Sequence, residues 1–113
     1  MQRGILAVQT DAMPGHEAEF NAWYDTSHVP EILQTEGFLL GRRFRAVRSQ
    51  DDAETEGGFS KYLAVYDIES LDLAASYRSL LDRFQSGVMT PGEHVRREPP
   101  FRSQLFEEIL RRP

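Results

Sequence analysis

Hydrophobic and polar positions along the chain change period several times, and each change marks an element. The stretch GILAVQT (Gly4–Thr10) is short, apolar and partly β-branched, and it runs into Asp-Ala-Met-Pro-Gly. That pattern predicts a first strand closed by a turn. From His16 to about His28 the period lengthens: Phe20, Trp23, Tyr24 and Ser27 fall at i, i+3, i+4 and i+7, the stripe of an amphipathic helix. Pro30 disfavours helical geometry at Val29, so this helix is expected to end near His28, with PEILQ making one further turn before Gly37.

FLLGRRFRAV (38–47) then alternates as a strand. One face would carry Phe38, Leu40, Arg42, Phe44 and Ala46, the other Leu39, Gly41, Arg43, Arg45 and Val47. RSQDDAETEGGFS (48–60) is polar and acidic and is expected to be a mobile connection. KYLAVYDI (61–68) is a third strand, with Tyr62, Ala64, Tyr66 and Ile68 on one face and Lys61, Leu63, Val65 and Asp67 on the other. Ser70 is a plausible N-cap for a second helix with Asp72 in its first turn and an apolar stripe of Leu73, Tyr77, Leu80, Leu81 and Phe84. QSGVMTPGEHVRREPP is irregular, and FRSQLFEEIL (101–110) reads as a last strand.

The order β-α-β-β-α-β predicts one α+β domain spanning 1–113, of the ferredoxin-like arrangement: a four-stranded antiparallel sheet with both helices on one face. Two helices cover only one side. The third strand is nevertheless apolar on both faces at its centre, where a sheet open to water should alternate. The expectation is therefore a homodimer whose sheets pack face to face.

Composition narrows the function. A net charge of −5 argues against nucleic acid as a partner, despite the local run Arg42, Arg43, Arg45 and Arg48. The chain has no cysteine, which excludes disulfides, thiolate ligands and cysteine nucleophiles. The cytoplasm is the default compartment, and no stretch approaches the length of a membrane span or a signal-peptide core. There is no phosphate-binding glycine loop and no serine nucleophile elbow. Three isolated histidines without a ligand motif make a protein-bound metal unexpected, and His16 is given no role.

His28 is the leading candidate for chemistry. It follows Tyr24 by four residues and Asp25 by three, so both can flank it on a helix. A helix C-terminus and a neighbouring carboxylate would both favour the imidazolium, placing the ring near neutral pH as a general acid–base group. The competing reading is a histidine that caps a free carbonyl. Tyr24 can donate its phenol proton to a substrate carbonyl or can be core; Asp25 can orient His28 or be solvated. Phe20 and Trp23 form pocket wall or core, together with Leu40. Whichever of Arg42 and Arg43 faces the helices needs an anionic partner, Asp25 or a substrate anion. Arg42 has the more apolar set of face neighbours and is expected inward. Tyr62 and Tyr66 share a face that suits an aromatic ligand, and His94 lies in a loop that could cover the pocket.

The pattern EFNAWYDTSHVPEIL, then EGF and RF, with KYLAVYDIES downstream, resembles the dimeric α+β barrel superfamily, and within it small EthD-like proteins. The resemblance runs over roughly residues 4–109, with EGF in place of the usual Pro-Gly-Phe. It implies a dimer and a small-molecule pocket near the His-x-Pro segment, and it moves His28 from cap towards catalysis or ligand contact. It does not name a reaction: the superfamily includes cofactor-free monooxygenases, cyclases, isomerases, decarboxylases and haem proteins. The expected activity is cofactor-free acid–base chemistry on a hydrophobic aromatic, polyketide-like or lactone substrate, of lyase, isomerase or cyclase type. A monooxygenase, with haem through His28 or His94 left open, and a non-catalytic ligand-binding accessory protein are the alternatives.

Overall fold

The computed structural model describes residues 1–47, 60–98 and 100–113. The acidic connection expected over 48–60 lies almost wholly outside them. Four strands, β1 (Gln2–Thr10), β2 (Phe38–Arg45), β3 (Tyr62–Ser70) and β4 (Arg102–Glu107), form one antiparallel sheet in the order β2-β3-β1-β4. This is the predicted ferredoxin-like α+β architecture. Among the described residues no helix is long and apolar enough to cross a membrane.

The first helical stretch does not stop at His28. Helix α1 (Glu17–Trp23) continues through a π-helical turn, Tyr24–His28, into α2 (Val29–Ile32), and Tyr24, His28 and Val29 all keep right-handed helical backbone. The Val29 N–H reaches the Tyr24 carbonyl, five residues back. Pro30 is then accommodated in the first turn of α2, where proline is tolerated. A proline restrains its predecessor without forbidding helix, and the widened turn supplies the room.

Helix α3 (Leu73–Gln85) starts two residues later than a Ser70 cap would place it. Asp72 is the N-cap and accepts from the Ala75 N–H at 3.1 Å, while Ser70 Oγ accepts from the Asp72 N–H. The core lies between the helices and one sheet face. Leu6, Val8, Phe38, Tyr62, Ala64, Tyr66 and Ile68 come from the strands, and Phe20, Tyr24, Ile32, Leu73 and Leu80 from the helices. Met89 and Val95, in the irregular segment after α3, close one end.

β2 corrects the expected face assignment. Its register slips between Phe38 and Leu40: Phe38 pairs with Ile68 but Leu40 with Asp67. One extra residue in a strand reverses the side to which everything after it points. Phe38 therefore stays inside, whereas Gly41, Arg43 and Arg45 replace Leu40, Arg42 and Phe44 on the helix side. Arg42 lies on the outer face, paired with Asp67 at 3.2 Å, and Leu40 is about half exposed.

That outer face carries an apolar patch beside the Arg42–Asp67 pair: Leu40, Phe44 and Phe106, each nearly half exposed, lie on it with Ile5, Ala7 and Val65.

Candidate functional site

The helical periodicity of α1 and the π turn delivers four aromatic rings to the same side. Phe20 and Tyr24 are fully buried, and His28 is 8% exposed. The imidazole stacks on Trp23 with ring centres 4.3 Å apart and a 23° tilt. Tyr24 meets it edge-on at 4.9 Å, and Phe84 of α3 lies at 5.7 Å. The sheet supplies the floor through Thr10, Tyr62 and Tyr66. Gly41 makes the approach possible: a Cβ there would come within 2.8 Å of Val29 and 3.3 Å of the Tyr66 ring.

Two polar atoms in this layer have no partner among the described residues. His28 Nδ1 and the Tyr66 hydroxyl are both buried and unbonded. Tyr24 Oη accepts a long hydrogen bond, 3.4 Å, from Thr10 Oγ1. Burial pushes the Tyr66 phenol strongly up, with the neighbouring Tyr24 adding to it, and burial also raises Tyr24. Both phenols keep their protons at neutral pH.

His28 differs from expectation. Burial lowers its pKa from 6.5 to about 4; the Glu31 carboxylate works against this, while the Arg43 cation lowers it further. The helix end that was to favour the imidazolium lies a turn further on, beyond Ile32. The ring is neutral at physiological pH.

Arg43, not Arg42, is the inward arginine. Its side chain is 17% exposed and lies over the Tyr24 ring at 4.4 Å, with Phe20 and Tyr62 at 5.6 and 5.5 Å. It donates to Asp25 Oδ1 at 2.7 Å and to Asn21 Oδ1 at 2.8 Å. Asp25 is thus the arginine's anionic partner and not an orienter of His28. Tyr62 is tied at its hydroxyl, donating to Glu17 at 2.8 Å and accepting from Asn21 Nδ2 at 3.3 Å.

Leu40 leaves the pocket wall because of the β2 slip. His94 does not cover His28; it stacks on His16, at the start of α1 and therefore at its opposite end, with centres 4.6 Å apart. His28 Nδ1 is sealed within the aromatic shell, which does not suit a haem ligand at that residue.

Sequence reasoning missed Asn21, Thr10 and Phe84 as site residues, and it expected the segment after α3 to cover the pocket through His94, where Thr90 and Gly92 form the cover. Asn21 and Asp25, one helical turn apart, were a readable signal for a shared cation. The residues that make the cover were not readable. Trp23 Nε1 donates to the Thr90 carbonyl at 3.2 Å, and the Glu31 carboxylate accepts from both the N–H and the hydroxyl of Thr90 at about 3 Å. Gly92 lies flat on the indole, where a Cβ would come within 2.8 Å. A separate groove of about 420 Å³ lies across the sheet from the aromatic layer. Ile5, Leu39, Asp67 and Phe106 are among its walls, and none of the candidate residues lines it.

The sheet order and the helices packed on one of its faces define the class as a ferredoxin-like α+β protein. The chain belongs to the family described as Domain of unknown function (DUF4286), whose model matches residues 3–89. Among solved structures it is similar to "a putative monooxygenase" from Shewanella loihica PV-4, with TM-score 0.60 and 18% identity over 99% of each chain. It is also similar to an "ethyl tert-butyl ether d (ethd) family protein" from Bacillus halodurans C-125, with TM-score 0.56 and 17% identity. That match covers 96% of this chain and all of the other. At such identities the likeness is one of fold. No curated protein matches the chain.

Proposed function

We propose that the protein is a small-molecule enzyme that needs no cofactor, acting on a hydrophobic aromatic, polyketide-like or lactone substrate beside His28. The observation that carries this reading is the pair of unpartnered polar atoms, His28 Nδ1 and Tyr66 Oη, within one aromatic layer. A buried polar group left without a partner costs roughly 1–3 kcal/mol. A ligand that donates to Nδ1 or accepts from the Tyr66 hydroxyl would relieve that cost at the atom it reaches.

In this reading the neutral imidazole takes a proton from an activated carbon of the substrate. The resulting enolate is held by the imidazolium, by Arg43 and by the Tyr24 phenol. Return of the proton to another substrate atom completes an isomerisation or cyclisation. A pKa of about 4 suits an acidic substrate carbon and a dry site where imidazolium and enolate form together. The chain is further proposed to work as a homodimer, with a second copy covering the apolar patch on the outer face of the sheet.

The test uses Trp23, the chain's single tryptophan, as a reporter. A panel of phenols, anthrones, polyketide-like diketones and lactones is screened by its fluorescence, and binders are assayed for turnover. His28→Ala is expected to bind in the same range and to lose on the order of 10²–10⁴ in turnover. An unchanged rate removes the acid–base assignment.

The low basicity of His28 favours a second reading, a binding protein that performs no chemistry. It predicts tight ligands, similar affinity in wild type and His28→Ala, and no product from either. Similarity to a protein described as a monooxygenase adds one further arm: oxygen consumption with an anthrone or quinol would reassign the reaction to oxygenation.

A further inference from the structure

The three exposed or half-exposed groups at the opposite end of α1 from His28 form a second constellation. His16 immediately precedes α1, Glu19 lies three residues on, and His94 belongs to the segment after α3. His16 Nδ1 is 2.7 Å from Glu19 Oε2, and the His94 ring stacks on that of His16 with a tilt of only 14°. One ligand atom from each residue lies within 4.8 Å of the other two.

The backbone holds these groups from both sides. The Met13 N–H donates to the His94 carbonyl and the Arg96 N–H to the Asp11 carbonyl, each at 2.8 Å, around a bridge between Ala12 and Val95. Val95 is anchored in the core. His16 is fixed by its own N–H to the Met13 carbonyl and by its carbonyl to the Phe20 N–H. Two segments distant in sequence are therefore held so that two imidazoles and a carboxylate lie side by side.

We infer that His16, Glu19 and His94 form a binding site for a divalent transition-metal ion of the zinc class. Two imidazoles and one carboxylate are a donor set suited to such an ion, with water completing the shell. Ligand atoms around one tetrahedral ion at about 2.0–2.1 Å stand a little over 3 Å apart. Closing onto an ion requires the two stacked imidazoles to part and the His16–Glu19 hydrogen bond to be exchanged for metal bonds. Binding would staple the 88–95 segment to the start of α1. That same segment carries Thr90 and Gly92, which lie on Trp23, so the ion would hold down the cover of the aromatic layer. This consequence rests on the reading of that layer as a site; the metal site itself does not.

The experiment is calorimetric titration of chelator-treated full-length protein with Zn²⁺ and, separately, Mg²⁺, with thermal unfolding followed in parallel. One Zn²⁺ per chain, a raised unfolding temperature and no response to Mg²⁺ are expected. His16→Ala, His94→Ala and Glu19→Gln should each weaken Zn²⁺ at least tenfold, whereas Glu93→Gln, on an exposed neighbour outside the cluster, should not. Far-ultraviolet circular dichroism without metal shows that each variant is folded, and a variant that fails is replaced by His→Gln at the same position. Absence of saturable Zn²⁺ binding, binding that survives loss of both histidines, or equal affinity for Mg²⁺ would overturn the assignment. None of these outcomes depends on finding a substrate.

Discussion

Acidification is the perturbation that reads most directly on the buried imidazole. In the folded chain His28 binds its proton at about pH 4, against an ordinary value of 6.5. The unfolded chain therefore holds the extra proton through that interval, and stability falls as pH falls. The contribution is fully present above about pH 6.5, is lost progressively below it, and levels off once the folded ring also protonates near pH 4. The whole interval corresponds to roughly 3 kcal/mol, of which about 2 kcal/mol is gone by about pH 5. Exposed carboxylates such as Glu17 and Glu19, whose pKa values are lowered in the fold, push the same way at lower pH, so a difference measurement is required.

Urea unfolding of wild type and His28→Gln at about pH 7.5 and about pH 5 provides it. The stability gap between the two proteins should shift by about 2 kcal/mol in favour of the glutamine variant on acidification. Should the variant not fold, the wild type alone decides through NMR of the His28 ring protons. The ring should stay neutral down to about pH 5. Parallel pH profiles, or a ring that titrates near 6.5, would refute the reasoning, because either means that the ring is reached by water.

Arg43→Met should cost about 1–2 kcal/mol, because it leaves behind the largely exposed Asp25, not a buried charge. The same change should move the His28 midpoint upward, since the Arg43 cation helps to depress it; NMR titration checks both direction and coupling. Gly41→Ala should lose about 1–3 kcal/mol in chemical denaturation, as the new methyl meets Val29 and Tyr66. Glu31→Gln should free the Thr90 segment, seen as faster amide exchange at Thr90 and a shift in Trp23 emission. Val65→Glu, on the outer sheet face, should convert a dimer to a monomer in sedimentation; an unchanged mass would end the face-to-face assembly.

The fold was legible because period and order are local properties: each strand and helix announced itself within a window of ten residues or so. The site was legible only in part. Phe20, Trp23, Tyr24 and His28 converge because a helical stripe delivers them, and Tyr62 and Tyr66 because strand parity does. Arg42 and Arg43 exchanged places because parity fails across the slip between Phe38 and Leu40, which is fixed by pairing with β3 and leaves no mark within the strand. The helix was cut short at Pro30 because the five-residue hydrogen bond at Val29 is likewise invisible in composition.

These two irregularities act on the same few residues. Without the slip, Arg42 and Leu40 would face the helices in place of Gly41 and Arg43. Val29 would then lose its place against the sheet, and Asp25 its cation. Without the widened turn, residues beyond Val29 would rotate relative to Tyr24, and the imidazole at position 28 would not lie flat on Trp23. Regular elements alone would have built a closed aromatic core with every polar atom at its edge. The observed ones place a cation over Tyr24 and leave His28 Nδ1 and Tyr66 Oη inside without partners. Departures from regular geometry cluster at functional sites, and the proposed ligand site rests on finding both of them around the same unpaired polar groups.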